Sequence, residues 1–414
     1  MASVAYGASE LELRLGASYT DNLLRDEAGP VEESIASAGA TVDLSGESRR
    51  FNAFLVGDVV YQRYASGDYD NETRPNLHGY LDFHFVPDVF SWTFEDRYGQ
   101  LVTDPFGADT LFNRENVNRF STGPNLTLEF PGGNALDITS RYTDTDFEVS
   151  DSDNERISTN AGLIHSLSAS RKVSVHFVSE TIEYDLPAFQ DFDRREAYLQ
   201  FESTISRGTL DISVGANEVE YESEPIRKPL YSFSLIRKLT KLLTMSLDYD
   251  RRIVDAGDQF GRSSDDVLDA DNSQGITPIG DTYETEEFSF GVGRVKGRSQ
   301  TSIGVYHAED RYRTATNFDG TRTGLTAGYE LAVGSLWTFG VSGYLENRDF
   351  RNADFEDDNL ELTVTFERRL TRTLGLQFEY RRVDRDSPSE SNTYTENRYS
   401  LNLTFRPTLK SESE

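Results

Sequence analysis

Apolar and polar residues alternate with a period of two along nearly the whole chain. Near the C-terminus, Tyr399, Leu401, Leu403 and Phe405 alternate with Ser400, Asn402 and Thr404. Leu374, Leu376, Phe378 and Tyr380 alternate likewise with Gly375, Gln377, Glu379 and Arg381. Leu360, Leu362, Val364 and Phe366 do so with Glu361, Thr363, Thr365 and Glu367. The middle repeats the pattern, with Leu243, Met245, Leu247 and Tyr249 set against Thr244, Ser246, Asp248 and Asp250. So does the start, where Leu11, Leu13, Leu15, Ala17 and Tyr19 oppose Glu12, Arg14, Gly16 and Ser18. Successive side chains of a strand point to opposite faces, so each segment predicts a strand with one apolar and one polar face. No stretch of helical period competes with this pattern.

The connections between these strands alternate in length. Short turns fall at Gly46-Glu47-Ser48, Pro87-Asp88, Pro131-Gly132-Gly133, Ser206-Arg207-Gly208, Lys296-Gly297-Arg298 and Gly334-Ser335. Between them lie longer polar connections, such as Leu23 to Glu32, Asp104 to Arg114, Asp185 to Asp193 and Asp384 to Thr393. The longest runs from Val254 to Asp281 and carries Asp265, Asp266, Asp269 and Asp271. Short turns on one rim and long loops on the other characterise outer-membrane barrels. The fold class expected is therefore all-β, a transmembrane antiparallel up-and-down β-barrel with short periplasmic turns and long extracellular loops. Counting segments gives roughly twenty strands (about 18–20), with both termini on the short-turn side. A barrel of that size is too wide for its side chains to fill, so a lumen is expected. A soluble sandwich would alternate too, but without the short–long rhythm, and a solenoid would show a fixed repeat.

Composition sharpens this reading. Only 36% of the 414 residues are hydrophobic, yet 12% are aromatic, with 21 Tyr and 26 Phe. Disordered chains are poor in aromatics, so the polarity does not indicate disorder. There is no cysteine, which excludes disulfides, thiolate metal sites and a Cys nucleophile. No apolar run is long enough for a membrane-spanning helix, but a closed barrel satisfies its own backbone groups and can span without one. A net charge of −30 argues against nucleic acid as a partner and is compatible with outer-membrane lipid around the barrel, provided the charges sit in loops and in the lumen. Residues 1–8 lack a basic stretch and a full apolar core, although Ser3-Val4-Ala5 resembles the end of a secretory leader. They read as a leader remnant or a disordered start, residues 9–405 as the barrel, and 406–414 as a tail.

On the polar phase, Arg14, Arg141, Asp211, Asp248, Asp250, Glu361, Glu367, Glu379 and Arg381 are candidate lumen-lining residues. An Arg on the lipid face at mid-depth would cost about 2–4 kcal/mol, whereas a wet lumen accepts it readily. Such residues either tune passage or pair across strands and stiffen the wall. Tyr19, Tyr61, Tyr64, Trp92, Phe94, Tyr98, Trp337 and Phe339 are candidates for the interfacial aromatic girdles. The last strand, with Tyr399, Leu401, Leu403 and Phe405 outward, has the form of a C-terminal strand signal for membrane insertion. Carboxylate groups such as Asp151, Asp153 and Glu155 lack calcium-loop spacing and read as solvated loop faces. Around His78, His84, His165, His176 and His307 no catalytic motif is found, and no phosphate loop or nucleophile elbow occurs. No cofactor and no catalytic residue are expected.

Specific phrases occur in the first third. Tyr19-Thr20-Asp21-Asn22-Leu23-Leu24 is followed by Glu32-Glu33-Ser34 and, after a strand, Gly46-Glu47-Ser48-Arg49-Arg50. Tyr98-Gly99-Gln100-Leu101-Val102-Thr103-Asp104-Pro105-Phe106-Gly107 follows, then Asn116 and Asn118. These phrases resemble the outer-membrane β-barrel family associated with the PEP-CTERM protein-sorting and exopolysaccharide systems, akin to porin-like barrels found beside polysaccharide export genes. That resemblance implies a role at the outer membrane in secreting or passing an exopolysaccharide, with no catalytic residues to carry over; a passive conduit joined to a periplasmic export partner is the leading expectation. Composition and periodicity imply only the barrel. The other expectation is a structural or surface-interaction protein with an obstructed lumen and functional acidic loops.

Overall fold

The computed structural model describes residues 5–6, 10–221, 225–262, 276–353, 355–389 and 392–407. Antiparallel pairing of strand with sequence neighbour builds a closed 20-strand barrel. Closure is made by the first barrel strand, Glu10–Thr20, against the last, Tyr394–Phe405, with Leu13 opposite Phe405 and Thr20 opposite Arg398. This leaves no exposed sheet edge in lipid, the requirement for a β-structure to span. Within the stretch read as a leader or disordered start, Ala5–Tyr6 pairs with Gly46 and Glu47.

Strands run from 11 residues in Glu10–Thr20 to 17 in Arg114–Phe130. A tilted strand needs only about 9–11 residues to cross the hydrocarbon, so most strands rise past the bilayer on the long-loop side. The two faces divide as the alternation demands. Leu15, Leu163, Phe177 and Ile303 lie exposed on the outer wall, which in water would be a severe liability and in lipid is the contact surface. The buried apolar clusters instead collect at the long-loop end of the interior. One gathers Leu23, Ile35 and Tyr64, and another Ile182, Phe192, Val219, Tyr221 and Ile253.

Tyr64 corrects one expectation. Lying three residues beyond the outward Tyr61, it takes the opposite face, is only 3% exposed, and donates to Glu72 inside the barrel. Tyr19, Tyr61, Phe94 and Trp337 do lie exposed on the outer wall.

One departure from regular pairing shapes the interior. Strand Leu243–Asp255 pairs with Ile226–Lys238 only as far as Tyr231 and Arg251, yet stays paired with Thr282–Lys296 up to Asp255 and Thr282. Above Arg251 it bends inward, and Arg194 and Asn217 donate to its Ile253 carbonyl. That bend delivers the chain into the lumen, where it continues as a helix, Ala256–Arg262.

Candidate functional site: the lumen

The proposed lumen residues all sit on the face opposite the exposed apolar wall. Glu361 and Arg381 are brought together, Arg381 donating through Nε and Nη2 at 2.8 and 2.7 Å. Asp250 is clasped by Arg252, Asp248 accepts from Ser234 at 2.6 Å, and Asp211 accepts from Gln200 at 2.8 Å. Arg14 donates to Thr41 and lies 3.4 Å from Glu12. Glu367 meets Arg406 at the short-turn rim, and Glu379 faces inward opposite Ser400. Arg141 stands apart, donating to the neutral oxygens of Asn125, Thr93 and Pro124. These groups line the wall at different depths and do not converge on one centre. On the last strand, Tyr399, Leu401, Leu403 and Phe405 lie exposed on the lipid face.

What sequence reading missed is that two segments cross the long-loop half of the interior. The first is the helix Ala256–Arg262. Asp255 caps it, accepting from the Asp258 backbone N–H at 3.0 Å. Both Asp255 oxygens take Arg156 at 2.7 Å, Arg156 also donates to Glu180, and Arg194 joins Glu180 to Asp258. All five side chains are buried. Burial alone would push the Asp258 carboxyl up, but Arg194, Arg262 and Arg156 outweigh it and hold it well below the usual carboxylate range. At the far wall Phe260 inserts between Leu101, Val117 and Phe147. The acidic run from Asp265 to Asp271 lies outside the described residues.

The second crossing segment is the loop from Thr103 to Asn113. Phe106 reaches the opposite wall and packs on Phe318, Phe350 and Phe355, with centroids 5.4, 4.8 and 5.3 Å away. Its carbonyl accepts from Asn392 at 2.7 Å and Arg385 at 3.0 Å, while Arg385 also grips Asp357. Arg114 forks Asp109, whose carbonyl takes Arg25 at 2.6 Å. The long-loop half of the lumen is thus crossed by two segments that ion pairs and aromatic contacts within the chain hold in place.

Below these segments one sector of wall is small and polar. Inward glycines sit directly opposite hydroxyl side chains: Gly291 and Ser246, Gly328 and Ser302, Gly340 and Thr365, Gly375 and Thr404. Each hydroxyl lies where a Cβ on its partner would clash, so the pairing keeps the wall thin and hydrated. A cavity of about 670 Å³ opens there, lined by Thr244, Ser302, Ser342 and Thr365 with Lys238 and Lys241. The facing sector is bulkier, with Phe54 stacked on Tyr80 and His176 on Tyr198.

His176 also contacts a hydroxyl and an amide. Its Nε2 lies 2.9 Å from the Ser174 hydroxyl and its Nδ1 3.4 Å from Asn160 Oδ1, a serine–histidine–amide line. Acyl transfer also needs N–H donors for the oxyanion. Residues Lys172 to Ile182 are paired on both sides of their strand, so that backbone is committed to the ladder.

A closed barrel of this size, with an apolar outer band and a polar interior, belongs in one place. The chain is a bacterial outer-membrane β-barrel. No protein-family model matches the sequence, and no curated protein matches it either. Solved outer-membrane barrels do match in structure. One is a ferric enterobactin receptor (PfeA) mutant from Pseudomonas aeruginosa, at 7% identity and TM-score 0.48, covering 96% of this chain and 80% of that one. The siderophore receptor PirA from Acinetobacter baumannii matches at 9% identity and TM-score 0.47, over 96% and 80%. A loop-deletion mutant of OmpT from Vibrio cholerae matches at 12% identity and TM-score 0.36, over 98% and 99%. These likenesses concern the barrel fold and carry nothing about solute.

Proposed function

We propose that this barrel is a gated passive conduit at the outer membrane, serving the export of an exopolysaccharide delivered by a periplasmic partner. The observation that carries the reading is the division of the lumen: a hydroxyl-lined cavity below, and above it two crossing segments pinned through side chains. A glycan crossing a membrane exchanges its water hydrogen bonds for wall donors and acceptors, and hydroxyl and amide groups supply both at little penalty. The resemblance to exopolysaccharide-associated barrels supports the choice of polymer, and the Tyr98–Gly107 phrase contains Phe106, which pins the lid. No covalent step is asked of any residue.

The test is single-channel conductance of the refolded barrel in a planar bilayer, with oligosaccharides added. The wild type should be nearly silent, with rare openings that sugars block, and a deletion strain should lose surface polysaccharide. Normal surface polysaccharide in that strain would sink the reading. The same crossing segments favour a second reading, a structural protein with a permanently blocked lumen. It predicts silence even after the lid and helix are released.

A further inference from the structure

In the long-loop half nearly every described arginine meets a carboxylate, as Arg25, Arg114, Arg156, Arg194, Arg348 and Arg385 do. The short-turn rim differs. Arg207 stands in one turn, and Arg237, Lys238 and Lys241 surround the next. Arg294, Lys296 and Arg298 follow, then Arg368, Arg369 and Arg372. All are exposed, and among the described residues none has a carboxylate within ion-pair distance. Arg368 instead lies over the Trp337 ring at 5.0 Å. The rim is uneven: Arg49, Arg50, Arg171 and Lys172 add cations at two further turns, whereas the turns at 87–89, 131–133 and 334–335 carry none, and the densest run lies from Arg237 to Arg298.

This basic arc occurs in a chain of net charge −30, so it is a concentration of charge against the overall balance. The acidic loops do not cancel it. They lie across a bilayer core of about 25–30 Å, several times the ~8 Å screening length at physiological salt. The arc also frames the polar cavity, for Lys238 and Lys241 line it beside Thr244, Gln300, Ser302 and Ser342, with Arg294 and one carboxylate, Glu330, also in its lining. Lys238 pairs across the strands with the inward Thr244, which sets its side chain on the lumen face. Cations that continue inward onto a hydroxyl-lined wall suit an anionic ligand that is itself rich in hydroxyls.

We propose that the short-turn mouth is a capture site for an anionic glycan, one bearing uronate or other acidic substituents, held by Lys238 and Lys241 and threaded onto the Ser/Thr/Gly wall. The inference rests on the conduit reading and specifies its polymer. A polyanion is drawn to the basic mouth by its charge.

Fluorescence anisotropy on the folded barrel in neutral detergent tests this, using labelled oligogalacturonate and a neutral malto-oligosaccharide of equal length. Oligogalacturonate should bind tighter and weaken steeply with salt, and Lys238→Glu with Lys241→Glu should lower its affinity by roughly tenfold or more. Arg49→Glu with Arg50→Glu, on the opposite side of the rim, should change it little. Heat-modifiable migration checks folding, and Lys238→Gln alone should give an intermediate loss if the double variant does not fold. Equal binding of both sugars, indifferent to charge reversal, overturns the anionic inference and leaves the conduit standing. Binding of neither, by the wild type or by a lid-deleted barrel, removes the conduit reading itself. If polyglutamate binds as tightly as oligogalacturonate and the same reversal abolishes it, the mouth is a docking face for an acidic protein, and the glycan inference is wrong.

Discussion

Arg194 shows what a buried charge does here. It ties Glu180 of one strand to Asp258 of the inward helix, with nearly all of its surface covered. Removing one partner of such a cluster strands the others, a loss of about 3–5 kcal/mol. Arg194→Met should therefore free the helix rather than unfold the barrel. Limited proteolysis within residues 256–262 should accelerate, and channel openings should become frequent; unchanged silence would show that the helix is held by other means. Asp258 adds a pH dependence. Its folded pKa is depressed, so its contribution is complete above the ordinary aspartate range and is lost as pH falls through the lower folded value. Acid opening is thus expected only well below about pH 4, and Asp258→Asn should open the channel at neutral pH. The membership of these residues in the polar phase is legible in the sequence. Their partners are not: Arg156 and Asp255 stand 99 residues apart, and only closure of the barrel makes them neighbours.

At the scale of elements, the crossing segments can be removed separately. Asp255 and Thr282 are cross-strand partners, so a tight turn can replace the intervening residues without disturbing either strand. That replacement should leave a folded, heat-modifiable barrel with larger and steadier conductance. A variant that folds yet stays silent would move the blocked-lumen reading ahead. Phe106→Ala should loosen the other segment, by less than the about 3–5 kcal/mol of a fully buried Phe because Phe106 is only partly buried, and raise the frequency of brief openings. Element type was plain in the alternation because each strand buries nothing of its own and must show its two faces openly. The helix was not plain. Its few residues carry no amphipathic period, and it exists because Asp255 caps it and Phe260 finds a pocket on the far wall.

For the molecule as a whole, the inside-out arrangement sets the sign of mutational effects. Leu401→Arg places a cation on the lipid face and should cost about 2–4 kcal/mol in urea unfolding from bilayers, whereas Ser342→Arg, on the lumen cavity, should cost little. Equal penalties would mean that the faces are assigned wrongly. The charge asymmetry between the rims also belongs to this scale. Each basic turn is visible in the sequence, but the arc appears only when strands set those turns side by side around one mouth.

The period of two and the rhythm of short and long connections determined the strands, their order, their faces and the closed barrel, because a sheet in lipid must alternate locally and must close. The outward residues of the final strand follow from the same rule. Tyr64 marks where local reading ends: its type suited a girdle, but its phase and its partner Glu72 put it inside. Tertiary structure alone decided that two segments cross the lumen above, which arginine meets which carboxylate, and where unpaired cations collect. Those are contacts between strands far apart in sequence, and their energies depend on burial and register, which no local pattern encodes.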